Sequence, residues 1–292
     1  MYLIIGANGF LGHYLIKNIL DLTKDNILAT DFSFNDNKNP RITWEKCDIT
    51  NEEDLKNLYE KTKNQKLKVL FLAAYHHPDL VAKNPQIAWN VNIVALARFL
   101  GIFDNIETFY YPSTEVVYGE MKDNKPFTED ALLNPVSRYG ELKSVAEKIV
   151  NVAGFNVVRF PVLMGPSLCN GKKHFYDEIV DTVKNGNTIE MFSDQLRSMI
   201  DFDTAAQMVV RLVELPSAHQ YPIVNISGDE PLSKYELGIR ICKSNKLDET
   251  KIKAITMDEN NNIFQAKRAK ATLLDNSLLK KILNLKEVKI KV

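Results

Sequence analysis

The chain has few cysteines, no net charge and no long apolar run, and each shortage argues against a class of protein. Its 292 residues include three cysteines (Cys47, Cys169 and Cys242), whose odd number and irregular spacing indicate neither a disulfide framework nor a zinc site. The 37 basic side chains balance 37 acidic ones, which disfavours recognition of nucleic acid or a membrane by bulk charge. No apolar run approaches the ~18 residues that span a bilayer.

The N-terminus lacks the pattern of a secretion signal. Such a signal needs a basic stretch, a long apolar run and a small-residue cleavage site. Here the apolar residues 2–5 pass directly into a glycine. These residues predict a first β-strand, and we expect a cytoplasmic protein.

Short apolar runs alternate with helical patterns through the first half of the chain. The predicted strands are residues 3–5, 27–30, 43–46, 69–74, 109–112 and 156–160. Helical spacing of apolar residues separates them, for example over residues 11–20, 86–103 and 139–152. Strands alternating with helices are typical of βαβ units, so the sequence predicts an α/β fold with a doubly wound parallel sheet of the Rossmann type.

The regular alternation of strand and helix patterns ends after Gly165, where we expect a smaller second lobe. Residues 166–199 hold loop residues, one helical stretch at 175–183 and a basic cluster, Lys172-Lys173-His174. Three charges in a neutral chain do not indicate nucleic-acid binding, so this cluster either contacts a phosphate or is solvated. We expect residues 1–165 and 200–226 to form the Rossmann domain, and 166–199 and 227–292 to form the C-terminal lobe.

Three regularly spaced glycines follow the first predicted strand and precede a helical pattern. In this context glycines permit a tight turn, close approach of the backbone to a pyrophosphate, and close packing of helix on strand. The helix N-terminus adds free N–H groups and a positive dipole end. The pattern predicts a dinucleotide site that contains Gly6, Asn8, Gly9, Phe10, Leu11 and Gly12.

Acidic residues follow the next two predicted strands. Asp31 ends the second strand about 20 residues after the glycines, where a carboxylate accepts from both ribose hydroxyls and repels a 2′-phosphate. Asp31 therefore predicts NAD rather than NADP, the alternative being a solvated loop residue. Asp48 and Ile49 are candidates to contact the adenine, although Asp is also common in turns.

A tyrosine and a lysine lie four residues apart on a predicted helix. Tyr139 and Lys143 share a helix face, so the phenol and the ammonium can converge. A nearby cation lowers the pKa of a phenol, which would make Tyr139 an acid–base group. Thr114, at the end of the fifth strand, is a candidate to hydrogen-bond the same substrate oxygen. A Tyr four before a Lys is by itself commonplace and usually structural.

Together these motifs resemble the extended short-chain dehydrogenase/reductase family, specifically its nucleotide-sugar epimerase, dehydratase and reductase branch. The resemblance covers essentially the whole chain. The matching positions, in order, are Gly6, Gly9, Gly12, Leu72-Ala73-Ala74, Asn92, Thr114 ahead of Val117-Tyr118-Gly119, Tyr139, Lys143, Arg159, Gly165-Pro166, Arg197 and Arg268.

The resemblance implies hydride exchange between a sugar carbon and a nicotinamide cofactor bound by the Rossmann domain. Tyr139 would be the acid–base group, Lys143 its pKa tuner and ribose anchor, and Thr114 the polarising donor. Arg197 and Arg268 would bind a nucleotide diphosphate in the substrate-binding lobe, the alternative for each being an ordinary ion pair. The remaining implied cofactor contacts are Leu72, Ala73, Ala74 and Asn92. Helices 86–103 and 139–152 imply a homodimer.

Departures from the family pattern bear on the reaction. The 4,6-dehydratases of this branch carry a Glu where this chain has Val116, which counts against that reaction, while Glu115 stands one position earlier as a candidate acid. His77 aligns with a residue that approaches the sugar in some relatives, or is a loop histidine. His76 and His77 lack further ligands at metal-binding spacing, so no metal is predicted.

These observations rank the hypotheses for the function of the protein. The first is an NAD-dependent nucleotide-sugar epimerase that recycles its cofactor. The next is a reductase or dehydrogenase with net turnover, favoured by the short chain, and the third is a 4,6-dehydratase. An NAD-sensing regulator without catalysis belongs to a different class, and the Tyr139–Lys143 pair disfavours it. The expected partner is a nucleotide sugar, with no nucleic acid and no membrane.

Overall fold

A computed structural model describes residues 1–33, 39–258 and 264–292. The strands are β1 (Tyr2–Ile5), β2 (Ile27–Asp31), β3 (Ile42–Lys46), β4 (Leu67–Phe71), β5 (Ile106–Thr114), β6 (Asn156–Phe160), β7 (Leu163–Met164), β8 (Ile189–Phe192), β9 (Leu196–Arg197), β10 (Ile200–Asp201), β11 (Ile223–Asn225), β12 (Leu232–Ser233), β13 (Ile252–Ile255) and β14 (Ala271–Thr272). The helices are α1 (Phe10–Leu22), α2 (Glu52–Thr62), α3 (Pro78–Lys83), α4 (Pro85–Trp89), α5 (Ala95–Ile102), α6 (Arg138–Val152), α7 (Phe175–Lys184), α8 (Phe202–Glu214), α9 (Lys234–Ser244) and α10 (Ser277–Leu283).

Seven strands form one parallel sheet in the order β11-β6-β5-β4-β1-β2-β3. The predicted α/β fold with a doubly wound, Rossmann-type sheet is confirmed. The strand order reverses between β1 and β4. In open α/β sheets, ligands bind outside the carboxyl ends of the strands at such a switch point.

Helices cover both faces of this sheet, which explains why β1, β2 and β6 are buried along their whole length. On one face α1 packs against α8, and the core there includes Leu15 and Val209. On the other face α2, α5 and α6 contribute residues such as Phe99 and Ala146. Leu279 of α10 joins the first core, so the C-terminal region returns to the main sheet.

Strand β4 is shorter than the sequence indicated. It ends at Phe71, whereas the apolar run predicted a strand to residue 74. Beyond it, the N–H groups of Leu72 and Ala73 both donate to the carbonyl of Ile5, at 2.7 and 3.0 Å. The chain therefore leaves the sheet three residues early, and residues 72–74 form a wall beside the end of β1.

The predicted helix 86–103 is interrupted. A π-helical turn, Asn90–Val94, separates α4 from α5. Within it, Asn92 accepts a hydrogen bond from the Tyr75 N–H at 2.8 Å and donates to the Tyr75 carbonyl at 3.0 Å. The turn thus directs a buried amide to the loop that follows β4, and such turns are frequent at functional sites.

The second lobe has its own small core. Strand β8 pairs with β13, and β9 lies between β12 and β14. Helices α7 and α9 pack on one another and on β8, burying residues such as Val183, Met191 and Leu237. The domain boundaries expected from the sequence stay a prediction. Among the described residues, no helix combines the length and apolarity needed to cross a membrane.

A buried ion pair fixes α6 to the sheet. Arg159 of β6 donates from Nε and Nη2 to the two carboxylate oxygens of Glu147, at 3.0 and 2.7 Å, and both side chains are 2% exposed. The Arg159 Nη1 group also donates to the Tyr118 hydroxyl and the Glu129 carbonyl. Because α6 begins with the Tyr139 segment, this pair sets the position of the candidate acid–base group.

Replacing Glu147 by Gln is expected to lower the free energy of unfolding by about 3 kcal/mol, because it leaves a buried guanidinium without its counter-charge. Urea unfolding measures this. The control is Glu60→Gln, which breaks an exposed pair with Lys63 and is expected to have a much smaller effect, because exposed ion pairs contribute little to stability. Equal effects of the two substitutions would show that the buried pair does not hold α6.

Candidate functional site

A cavity of about 660 Å³ opens at the switch point, at the carboxyl ends of β1, β2 and β4. It brings together residues that are far apart in the sequence. The predicted cofactor residues that line it are Gly6, Asn8, Gly9, Asp31, Asp48, Ile49, Leu72, Ala73 and Ala74, and they are joined by Tyr75, His76 and Lys172. The predicted residues Phe10, Leu11 and Gly12 form the first turn of α1 next to this wall.

The turn between β1 and α1 fits a dinucleotide pyrophosphate. Gly6 has φ of +83°, and a Cβ there would lie 2.7 Å from the backbone nitrogen of Ala73. Only glycine therefore allows the turn to pass so close to the loop after β4. Gly9 caps α1 without a side chain, and its position makes no side-chain capping hydrogen bond to the first N–H groups of the helix within the described part of the chain. Such groups bind anions.

The Asp31 carboxylate is 7% exposed and is oriented by its surroundings. Its Oδ2 accepts from the N–H of Asn8 at 3.1 Å, and its Oδ1 accepts from the N–H and hydroxyl of Ser33 at 3.2 and 3.1 Å. An ionised carboxylate has about four acceptor sites, so capacity remains for a ribose hydroxyl. Asp31 thus joins the end of β2 to the glycine turn.

Asp48 has a local function in the loop after β3. Its Oδ1 accepts from the N–H and hydroxyl of Thr50, at 2.9 and 2.7 Å, which forms a side-chain-stabilised turn. The same loop lines the cavity with Ile49. The adenine contact stays a prediction, and the turn function is observed.

The end of β5 and the start of α6 meet closely. A Cβ at Gly140 would lie 2.8 Å from the Val116 carbonyl oxygen, so this glycine permits the approach. Thr114 ends β5, and its hydroxyl accepts from the Val116 N–H at 3.4 Å. Tyr139 precedes the glycine. The helix therefore places the phenol-bearing turn against the segment that carries Thr114.

Lys143 ties these two elements together. Its Nζ donates to the Pro112 carbonyl at 2.5 Å and lies 3.9 Å from the centre of the Tyr111 ring. The side chain is 3% exposed. Burial lowers the pKa of Lys143 to about 7, although the Glu147 carboxylate acts in the opposite direction. Lys143 can therefore lose its proton near neutral pH at a small cost in free energy.

The expected lowering of the Tyr139 pKa is not seen. Burial raises that pKa, and the Glu115 carboxylate raises it further. Desolvation penalises the phenolate. Lys143 makes its contacts with Pro112 and Tyr111. The Tyr139 hydroxyl is consequently protonated at neutral pH and is available as a proton donor.

Glu115 is a buried carboxyl group between β5 and the second lobe. It is 3% exposed, and its Oε1 accepts from Nε of Arg197 at 3.0 Å. Its Oε2 is buried without a hydrogen bond of standard geometry from the described residues. Burial raises the pKa of Glu115 to about 7, against the opposing charges of Arg197 and Lys234. The group can therefore hold a proton near neutral pH.

The two predicted diphosphate ligands differ in their surroundings. Arg197 is 4% exposed, and it donates to Glu115 and to the backbone carbonyls of Leu196, Ala269 and Lys270. Its guanidinium thus connects these segments of the second lobe by hydrogen bonds. Arg268 is more open and pairs with Asp79 of α3 at 3.1 Å. For both, diphosphate binding stays a prediction.

The Arg268–Asp79 contact links the two lobes near His77. The second Asp79 oxygen accepts from the N–H of Ala266 at 2.8 Å, so the carboxylate is held by two donors of the second lobe. His77 is exposed at the N-terminus of α3, where its side chain makes no capping hydrogen bond. The predicted sugar contact by His77 stays a prediction.

Lys234 is a candidate that sequence reasoning missed. It is the first residue of α9, and its Nζ lies 5.8 Å from the centre of the Phe264 ring. Burial, together with the nearby Arg197 and Arg268 charges, lowers the pKa of Lys234 to about 8, and the Glu115 charge acts in the opposite direction. In the sequence it follows Ser233 in an ordinary helix-capping pattern, which gave no sign of this cationic cluster.

His76, also missed, lines the cofactor cavity beside the predicted His77. Desolvation lowers the pKa of His76, and the charges of His77 and Lys143 contribute to the lowering. Within the described parts of the chain, no three His, Cys, Asp or Glu side chains are grouped to hold a metal ion.

Glu115→Gln is expected to change how stability depends on pH. The unfolded pKa is about 4.5 and the folded pKa about 7, so the stabilising contribution of Glu115 is complete below pH 4.5 and is lost as the pH rises through 7. The Gln variant should therefore gain about 1–3 kcal/mol relative to wild type between pH 5 and pH 8. Urea unfolding at both pH values measures this. Parallel stability profiles would contradict the buried-proton assignment.

Comparisons with known proteins agree with this architecture. The family described as the RmlD substrate binding domain matches residues 1–291. By sequence, the chain is 25% identical over 269 residues to a dTDP-glucose 4,6-dehydratase of Haemophilus influenzae, covering 82% of this chain and 78% of that protein. It is 25% identical over 261 residues to the methionine adenosyltransferase 2 subunit beta of Xenopus laevis, covering 87% and 75%.

Solved structures show the same fold. A dTDP-4-dehydrorhamnose reductase from Bacillus anthracis in complex with NADP has a TM-score of 0.79 at 18% identity, covering 99% of this chain and 94% of that one. A UDP-glucuronic acid 4-epimerase from Bacillus cereus, in complex with UDP-glucuronic acid and NAD, has a TM-score of 0.81 at 21% identity, covering 100% and 94%. The chain belongs to the RmlD substrate binding domain family, within the extended short-chain dehydrogenase/reductases.

Proposed function

We propose that this protein is an enzyme that transfers hydride between a nicotinamide cofactor and a carbon of a nucleotide-linked sugar. The observation that carries this proposal is the close meeting of the Thr114 segment with the Tyr139 turn, beside a glycine-lined cavity at the switch point. Membership of the family supports it. When bound, the cofactor supplies or accepts the hydride.

The residues that would hold the cofactor are those of the cavity. Gly6 and Gly9 leave room for the pyrophosphate, and the first N–H groups of α1 meet its charge. Asp31, with acceptor capacity remaining, suits the adenosine ribose and favours NAD over NADP. We infer that Asn92 contributes by fixing the Tyr75 backbone at the cavity wall.

Tyr139 has the acid–base function in this proposal. Its protonated hydroxyl donates to a substrate carbonyl oxygen during reduction and recovers a proton from the hydroxyl during oxidation. Thr114 hydrogen-bonds the same oxygen and polarises it. Lys143 holds the end of β5 against α6 through the Pro112 carbonyl, so it orients both groups.

Net reduction of a keto sugar is the first candidate for the reaction, and similarity to a dTDP-4-dehydrorhamnose reductase supports it. In that reaction the Tyr139 hydroxyl would donate a proton to the carbonyl oxygen. The second candidate is an epimerase, the first hypothesis from sequence, in which oxidation and reduction alternate at one carbon. Asp31 favours this candidate because NAD is the cofactor expected there. Val116 continues to disfavour a 4,6-dehydratase.

The second lobe supplies positive charge for the substrate. Lys234 and Arg268 lie around the Phe264 ring, with Arg197 behind them. The mutual repulsion of these cations would be relieved by an anion such as the diphosphate of a nucleotide sugar. Arg268 and Lys234 would contact it, while Arg197 would contribute charge from its buried position.

We also infer a homodimer formed through α4 and α6. Both helices expose large apolar side chains to solvent. Ile87 and Trp89 of α4 are 52% and 48% exposed, and Val145 and Val152 of α6 are 39% and 90% exposed. Burial of these side chains against a second copy would remove apolar surface from water.

The first experiment identifies the cofactor and separates the two candidates. The purified protein is denatured without added cofactor, and any released nucleotide is identified by mass spectrometry. We expect an almost empty protein, because net turnover requires the cofactor to exchange. Near-stoichiometric NAD or NADH would instead favour the epimerase. Candidate nucleotide sugars are then assayed, for net cofactor oxidation in the first case and for epimerised product in the second.

Tyr139→Phe is expected to lower kcat by about 10²–10⁴-fold while NAD binding is unchanged, since it removes the proton donor and keeps the ring. The assay is turnover of the reactive nucleotide sugar, with NAD binding measured by calorimetry. The matched control is Tyr110→Phe, which removes a buried hydroxyl 3.4 Å from the Leu212 carbonyl and should preserve activity. Full turnover by Tyr139→Phe would contradict the proposed function of Tyr139 in catalysis. Loss of neither turnover nor NAD binding would leave the NAD-sensing regulator as a hypothesis.

A further inference from the structure

We propose that Lys172, from the second lobe, binds a phosphate group of the dinucleotide cofactor. The inference rests on the proposed function, since it assigns a further residue to the same cofactor cavity. Lys172 comes from the second lobe, whereas the other residues that line the cavity belong to the Rossmann sheet and its loops. The phosphate is the pyrophosphate shared by NAD and NADP, or the 2′-phosphate of NADP.

The segment that carries Lys172 is packed against the glycine turn. At its start, the Pro166 carbonyl accepts a hydrogen bond from the Tyr14 hydroxyl of α1 at 2.7 Å. At its end, the His174 ring lies edge-on to Phe10, with ring centres 4.9 Å apart. Residues 166–174 are thus fixed at both ends to the helix whose N-terminus faces the cofactor cavity.

Between these anchors, Lys172 reaches the turn itself. Its Nζ donates to the carbonyl of Asn8 at 3.2 Å, and the side chain lines the cavity while remaining exposed. The same Asn8 donates its N–H to Asp31. The ammonium therefore lies where the glycine turn and the ribose-binding carboxylate meet, which is where the phosphates of a dinucleotide pass.

The charge of Lys172 is available to a ligand. Within the described residues, no carboxylate lies within ion-pair distance of its Nζ, whereas the neighbouring Lys173 pairs with Asp181 at 2.6 Å. The ammonium has three N–H donors, and the Asn8 carbonyl uses one. The pKa of His13 on α1 is lowered by desolvation and also by the Lys172 charge, which therefore acts on the first turn of that helix.

The test compares variants of the full-length chain by calorimetric titration with NAD and with NADP. Lys172→Gln removes the charge and keeps a donor for the Asn8 carbonyl, so a loss of affinity reports the charge and not the loop. Lys172→Arg restores the charge. Lys173→Gln is the matched control, because it removes an adjacent cation that is paired with Asp181.

We expect Lys172→Gln to weaken dinucleotide binding about tenfold, as for loss of one charge-assisted contact. Equal weakening of NAD and NADP identifies the pyrophosphate, whereas weakening of NADP alone identifies the 2′-phosphate. Lys172→Arg should recover most of the affinity, and Lys173→Gln should match wild type. The difference between Lys172→Gln and wild type should shrink as salt is raised, because the contact is exposed.

The proposal is overturned if Lys172→Gln binds both dinucleotides as tightly as wild type, or if Lys173→Gln weakens binding equally. These outcomes leave the proposed function intact when nucleotide sugars still react. Conversely, Lys172-dependent binding without any reaction of nucleotide sugars upholds the phosphate contact and removes the proposed substrate. Failure of the wild-type protein to bind either dinucleotide overturns both.

Discussion

The position of the candidate site depends on one buried ion pair. Arg159 donates two hydrogen bonds to the Glu147 carboxylate in a region closed to water, so the pair is geometrically specific, and loss of either partner is costly. It fixes α6 on β6, and the first turns of α6 carry Tyr139 and Lys143. The same arginine reaches Tyr118, just after the Thr114 segment. A single guanidinium therefore connects both halves of the proposed catalytic group to the sheet.

Desolvation controls the titration of the groups around this site. It raises the pKa of Tyr139 and of Glu115, and it lowers the pKa of Lys143 and of Lys234. In each case the neutral form is favoured, because the side chains are removed from water and are only partly compensated by opposite charge. A ligand that brings negative charge would reverse this balance for the lysines. The proposed electrostatics thus depend on what binds.

The sequence predicted those features that depend on local pattern. The parallel sheet, the glycine turn and the place of Asp31 follow from strand–turn–helix order, and the structure has them. The early end of β4 and the π-helical turn at Asn90–Val94 were not predicted. The spacing of apolar residues does not indicate where a strand leaves its sheet, and it does not indicate where a helix contains one extra residue. The burial of Arg197 and the cationic surroundings of Lys234 depend on contacts between distant segments, which no local pattern encodes.

The π-helical turn has a consequence for how this cavity can diverge among relatives. An α-helix advances by about 100° per residue, so loss of one residue from Asn90–Val94 would restore a regular helix and rotate Asn92 away from Tyr75. The sheet and α5 could keep their packing, while the loop after β4 would lose its amide anchor. A single-codon deletion or insertion in one helix is thus a short evolutionary route to a reshaped cavity wall.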